Sequence, residues 1–248
     1  MHPGQHPYGD TAQPEEVWPD VGALKSPPPQ RGVYVGITGN TGCGKSTLVR
    51  HLTQRLKLNN PLVVGINERS FHHPLLQAMF FSPRRFAFGV QVNFALQRHL
   101  AVYAWLEAGY TVIIERCHLD DPIFVRHHFR MGHISSTEYF AYRTLSHSFR
   151  ARLRVPDILV CLDASAKLSQ ERVTMAENAG ERPHEFPNEE TKWEFISGWA
   201  KAYQRHFSML ERLRRISSHY SEMNVIRFDA QLSTESIAIT VANVIQGG

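Results

Sequence analysis

The sequence predicts an α/β fold, a five-stranded parallel sheet with helices on both faces. Three observations predict it. Short apolar, β-branched runs recur at Val33–Thr38, Leu62–Ile66, Tyr110–Ile114, Ile158–Leu162 and Val225–Phe228. The stretches between them are long enough for the crossover helices that parallel neighbours require. A Gly-rich turn directly follows the first run and opens a helical pattern.

Residues 1–30 stand apart. Met1 to Gln30 is rich in Pro, Gly, Gln and His and ends in Pro27-Pro28-Pro29. It has no apolar h-region and no arginine, so it reads as a disordered tail, not a leader. Residues 31–248 then form one folded domain. After the first strand, Gly39-Asn40-Thr41-Gly42-Cys43-Gly44-Lys45-Ser46 spells G-x-x-x-x-G-K-[ST], and Thr47 continues into a helix. The glycines let backbone N–H groups turn inward around phosphate oxygens, at a helix end that already favours negative charge. Lys45 reaches the outer phosphates and the Ser46 hydroxyl suits Mg²⁺.

Further along, a long helix is expected over Pro83–Glu107. Ser135-x-x-Glu138 reads as a capping box that starts another. A third helix spans Glu189–Ile216, with Trp193, Ile196, Trp199, Tyr203 and Phe207 at near-helical spacing as a core face. Between the last two strands, Glu177–Pro187 is polar, contains Gly180, Pro183 and Pro187, and reads as a mobile loop.

The bulk numbers limit the function. Mean hydropathy is −0.30 and no apolar run nears the ~20 residues that span a bilayer. Cys43, Cys117 and Cys161 are far apart, which argues against a disulfide framework or zinc site and fits the reducing cytoplasm. Cys161 reads as core, and Cys43, inside the loop, is expected to react with thiol reagents. The tail carries net charge −3 and the remainder +7. No Lys/Arg block with interleaved aromatics appears, which argues against a nucleic-acid partner. His72-His73 and His127-His128 lack acidic or Cys partners and read as surface or rim residues, not metal ligands.

Ligands of open α/β sheets bind beyond the carboxyl ends of the strands. Asn67-Glu68-Arg69 follows the second strand and Glu115-Arg116 the third. A carboxylate at two strand ends beside a phosphate loop suits a base and a metal ligand. N-K-x-D, the guanine signature of GTPases, is absent.

Five ordered stretches carry a resemblance to a family. They are the loop Gly39–Thr47; Met79-Phe80 with Pro83-Arg84-Arg85-Phe86-Ala87-Phe88 and Gln91; Ile114-Glu115-Arg116-Cys117; Thr137-Glu138-Tyr139 with Tyr142; and Glu171-Arg172 with Arg182-x-x-Glu185. Across nearly all of residues 33–246 the chain resembles the deoxyribonucleoside kinases that act on deoxycytidine, deoxyguanosine and deoxyadenosine. The resemblance implies a P-loop kinase fold with a small lid at about 172–187, and transfer of the ATP γ-phosphoryl group to a deoxynucleoside 5′-hydroxyl. Glu68 resembles the general base. Glu115, with Ser46, resembles the Mg²⁺ site, and Arg116 the arginine beside the base. Arg172 and Arg182 resemble lid arginines that stabilise phosphoryl charge. Gln91, Arg98 and Asp121 resemble residues lining the base pocket, and the Arg98–Asp121 combination leans against thymidine. Phe124 and Phe88 read equally as a stacking ring and as core. Glu185 resembles the carboxylate on the sugar 3′-hydroxyl. A homodimer through long helices and a role in nucleotide salvage are implied as well.

The chain departs from the family at Phe80, where a sugar-binding tyrosine is expected, at Arg69, Cys117 and Pro122, and at Ala176, where a lid arginine is missing. Asp120 competes for the place given to Asp121. About four extra residues fall near Glu177–Gly180. Two rival functions remain open at this level. One is a P-loop kinase for a nucleoside monophosphate or a modified base in DNA, and the other is a silent nucleotide-binding regulator.

Overall fold

The computed structural model describes residues 31–68, 71 and 75–247; the expected tail, Arg69 and His72-His73 lie outside the described residues. The elements are β1 (Tyr34–Gly39), α1 (Lys45–Lys57), β2 (Val63–Ile66), α2 (Leu76–Phe81), α3 (Pro83–Glu107), β3 (Thr111–Glu115), α4 (Asp121–Arg130), α5 (Ser136–Arg150), β4 (Ile158–Asp163), α6 (Ala166–Asn178), α7 (Glu189–Ile216), α8 (Ser218–Ser221), β5 (Asn224–Asp229) and α9 (Thr234–Ile245). Each strand falls within one residue of its expected limits.

The strands lie in the order β2-β3-β1-β4-β5 and all pairs are parallel. β3 and β4 flank β1; the chain leaving β1 runs to β2 on one side, and the chain leaving its neighbour β3 crosses to β4 on the other. That is the crevice where such sheets bind ligands. Alternation along β1 builds two cores. Val35 and Ile37 pack with Leu48, Val49 and Leu52 of α1 and with Ile237 and Val241 of α9. Tyr34 faces the other layer, with Phe94 and Val102 of α3, Phe124 of α4 and Phe207 of α7.

Local sequence sets the helix ends. Pro83 occupies the first turn of α3, where its missing N–H is no loss. The expected capping box at Ser135 and Glu138 forms. Asn188 caps α7 by accepting the Thr191 N–H at 2.8 Å. Two expectations need correction. α6 runs on through Asn178, so Glu177 sits in its last turn and is buried, not in a polar loop. Trp193 is 44% exposed and does not join the core face of α7. At 100° per residue Trp193 lies roughly 80° off the stripe through Ile196, Trp199, Tyr203 and Phe207, whereas Lys192 lies close to its centre.

Candidate active site

The phosphate loop is shaped by backbone that only glycine adopts at ease. Gly39 has φ 149°, Gly42 71° and Gly44 95°. A Cβ on Gly42 would sit 2.6 Å from the Ser169 carbonyl oxygen, and one on Gly39 equally close to that of Leu162. Asn40 braces the turn from behind. Its amide donates to the Ile196 carbonyl at 3.1 Å and its oxygen accepts the Thr41 N–H at 2.9 Å. Lys45 Nζ donates to the Asn40 carbonyl at 2.7 Å and lies 3.7 Å from Glu115 Oε1.

Gly39, Asn40 and Cys43 hold the loop from beneath, while Thr41, Gly42, Gly44, Lys45, Ser46 and Thr47 face an open cleft of about 970 Å³. Cys43 is 1% exposed, and burial pushes its thiol pKa up. The expectation of a reactive thiol is therefore wrong: the side chain points into the core, not at the ligand. Cys117 and Cys161 are buried too. A thiol titration of the native protein should detect no prompt reaction, and all three groups should react after unfolding.

The ends of β2 and β3 bring the second group of residues to the same cleft. The Ser46 hydroxyl donates to Glu115 Oε2 at 2.7 Å. Both donors are hard oxygens, few in number, and beside a phosphate site; that suits Mg²⁺, which keeps most of its water and phosphate ligands. Among the described residues there is no cluster of three or more His, Cys, Asp or Glu side chains able to hold a metal. Arg116 has φ 57°, an uncommon left-handed backbone for a non-glycine residue. Its backbone N–H is held by the Ile37 carbonyl at 2.8 Å. Its guanidinium lies over the Phe124 ring at 4.8 Å and pairs closely with Glu68. Burial alone would raise the Glu68 pKa, but the charge and hydrogen bond of Arg116, with help from Arg98, pull it down to about 2.

Asp120 and Asp121 divide their work. Asp120 is fully buried, accepts the Cys117 N–H at 3.0 Å and bonds the Thr38 hydroxyl. It does not reach the cleft. Asp121 does, and it pairs with Arg98, which is itself 2% exposed and lies 3.5 Å from Glu68 Oε1. Arg98→Ala would strand Asp121 as a buried charge, so we expect a loss of about 3–5 kcal/mol of stability by urea denaturation. Arg98→Met with Asp121→Leu removes both charges and should recover most of it.

The far wall is apolar. Gln91 is buried, and its amide reaches only the Met79 sulfur, at 3.7 Å, a weak acceptor that leaves it free for a ligand. Phe80 packs on Phe186, Phe195 and Trp199 with centroids 4.5, 5.4 and 6.2 Å away. Phe124 belongs both to this wall and to the core. Phe88 packs against the core and does not line the cleft. On the α6–α7 side, Arg182 donates to the Thr41 hydroxyl at 3.0 Å and to Glu185 at 2.5 Å. Arg172 and Ala176 line the same side.

Arg50, Trp199 and Gln231–Thr234 also line the cleft and were not expected to. The strand-end rule, applied to β5, would have found residues 231–234. The His127-His128 pair is misplaced by sequence reasoning. His128 is fully buried and both rings pack on Phe195, because α4 turns them towards α7.

A profile of the deoxynucleoside kinase family matches residues 35–236. A deoxyadenosine kinase of Dictyostelium discoideum is 24% identical over 147 residues, a match spanning 58% of this chain and 57% of that protein. The chain thus matches little more than half the length of this curated relative. The fold is that of a deoxyadenosine kinase from M. mycoides. With bound dATP that structure gives a TM-score of 0.65 at 18% identity, over 86% of this chain and 100% of the other. With bound dCTP the TM-score is also 0.65, at 19% identity, over 86% and 99%. With the family profile matched over most of its length, the chain belongs to the deoxynucleoside kinase family.

Proposed function

We propose that the protein transfers the γ-phosphoryl group of ATP to the 5′-hydroxyl of a deoxyribonucleoside. One observation carries this reading: a single cleft joins the phosphate loop, the Glu68–Arg116 pair and the Arg98–Asp121–Gln91 end. Phosphoryl transfer needs positioning and charge neutralisation more than covalent chemistry. Lys45 and the loop N–H groups hold the donor phosphates. Ser46 and Glu115 would hold Mg²⁺, which supplies charge neutralisation on the phosphates. Arg172 and Arg182, in a lid at about 172–187, face the charge that develops on the transferring group. Glu68 accepts the proton of the acceptor hydroxyl, and Arg116 orients Glu68.

At the acceptor end both arginines, Arg98 and Arg116, are already paired with carboxylates. That favours a neutral hydroxyl acceptor over a monophosphate, which would need unpaired cations. The paired Arg98 and Asp121 offer donors and an acceptor to a base carrying an exocyclic amine or carbonyl, so deoxyadenosine, deoxyguanosine and deoxycytidine rank above thymidine. Glu185 grips the sugar, without the help of a hydroxyl from Phe80. A homodimer is supported by a stripe on α3, where Leu96, Leu100 and Tyr103 are 40, 46 and 42% exposed. Free, buried cysteines support a reducing, cytoplasmic setting, and membership of the family supports a role in nucleotide salvage.

The test is a phosphoryl-transfer panel with Mg-ATP. Acceptors are the four deoxynucleosides, their ribo forms, the monophosphates and duplex DNA. Turnover on one or more of the three favoured deoxynucleosides is expected. Turnover confined to monophosphates or DNA, or none at all, overturns the acceptor assignment.

A further inference from the structure

α7 buries a lysine in its apolar stripe. The Lys192 side chain is 4% exposed, and its ammonium donates to Glu177 Oε2 at 2.6 Å, to Glu189, and to the Thr174 hydroxyl at 3.4 Å. Glu177 is 1% exposed, with His184 Nδ1 3.7 Å away. Its other oxygen, Oε1, is buried without a hydrogen-bond partner. Taking two charges out of water is costly, and an apolar pair of similar size often serves stability as well or better.

What the pair does hold is the frame of the α6–α7 connection. It ties the last turn of α6 to the first turn of α7. Within that frame α6 closes in a Schellman motif. Gly180, at φ 71°, donates to the Glu177 carbonyl at 3.1 Å, and the Glu181 N–H to the Ala176 carbonyl at 2.9 Å. The Arg182 N–H reaches the same Ala176 carbonyl at 3.2 Å. The backbone of Arg182 therefore hangs from the residue next to Glu177, while its guanidinium crosses to Thr41 of the phosphate loop.

We propose that the buried Lys192–Glu177 pair is a positioning device that fixes the end of α6 from which Arg182 is aimed across the phosphate loop. Its kinetic consequence rests on the phosphoryl-transfer reading given above.

The experiment is a double-mutant cycle in the full chain: Lys192→Met, Arg182→Ala and the double variant, with Lys192→Arg as the conservative control. Lys192→Met should lower kcat about tenfold or more with acceptor KM within about threefold, since small misplacements of a charged group act on the transition state. In the Arg182→Ala background the same substitution should change kcat by less than about twofold. Lys192→Arg should keep most of the activity. An unchanged kcat in Lys192→Met, or an equal loss in both backgrounds, overturns the proposal and leaves the pair a matter of stability. Should Lys192→Met fail to fold, Glu177→Gln, which keeps size and shape, runs the same cycle. If the wild-type chain phosphorylates no acceptor, the functional reading has failed, and the cycle is read instead as the Kd for Mg-ATP. Weakening that depends on Arg182 then supports the pair, and weakening independent of it, or none, overturns it.

Discussion

Replacing Glu68 by glutamine should lower kcat by about 10²–10⁴-fold while acceptor KM moves far less. Glutamine keeps the shape of the side chain but cannot take a proton. With a pKa held at about 2, Glu68 is ionised throughout the working range of pH. It should therefore give no acid limb to kcat/KM between roughly pH 5 and 8. So low a pKa makes a weak base in the resting site. In a loose transition state, however, the hydroxyl keeps its proton until bond-making is advanced, so an aligned acceptor serves better than a strong one. The substitution also leaves the buried guanidinium of Arg116 without its counter-charge, so the kinetics belong well below the melting temperature of the variant. A glutamine enzyme within about threefold of wild type would remove Glu68 from the role of base.

Mild acid should destabilise this protein steeply before its carboxylates titrate. His118, His128 and His206 are 6, 0 and 7% exposed. Burial is the largest cause that pushes their pKa values down, to about 3, 3 and 4. In the unfolded chain each histidine titrates near 6.5. Between that value and about 4, the unfolded state binds protons that the folded state refuses, so stability falls as pH falls. Each such group costs about 1.4 kcal/mol per pH unit, and three together roughly 4 kcal/mol per pH unit. A domain of ordinary stability, about 5–15 kcal/mol, loses much of it between pH 6.5 and 5. Glu68 acts in a lower window. Its folded pKa is depressed, so the stability it adds is present above its unfolded value and disappears as pH drops towards 2. Urea midpoints measured by circular dichroism from pH 7.5 to 4.5 should slide steeply. A flat profile above pH 5 would show that these rings take up protons without unfolding the chain.

The sheet was legible in the sequence because its central strands are buried on both faces and so read as continuous apolar runs. The strand runs are short, β-branched and bounded by turn residues. Pro83 and Ser135 announce their helices by local chemistry that no tertiary contact overrides. The phosphate loop was legible because its glycines answer a local steric demand. Lys192 was not, because its spacing puts a charge where an apolar residue belongs, and only the packed partner, Glu177, explains it. Asp121 was preferred to Asp120 by resemblance alone, and the structure does place Asp121 in the cleft. Of the two adjacent carboxylates, Asp120 turns inward to the Thr38 hydroxyl and the Cys117 N–H, and Asp121 turns to Arg98. His127 and His128 were misplaced for a similar reason. Their polarity suggests a surface, but neutral rings pack on Phe195 once desolvation has suppressed their charge.

Asp120 has a mechanical meaning. It fastens Thr38, on the strand that leads into the phosphate loop, to Cys117, which lies just past Glu115 at the end of β3 and Arg116 beyond it. The phosphate loop and the end of β3 are riveted through one carboxylate that solvent does not reach. A rivet of this kind makes the two loops one jaw. On the proposed reaction, the spacing between donor phosphates and acceptor hydroxyl would then be set by the sheet, as in a vise with one fixed face, and would stay the same whichever base filled the far wall.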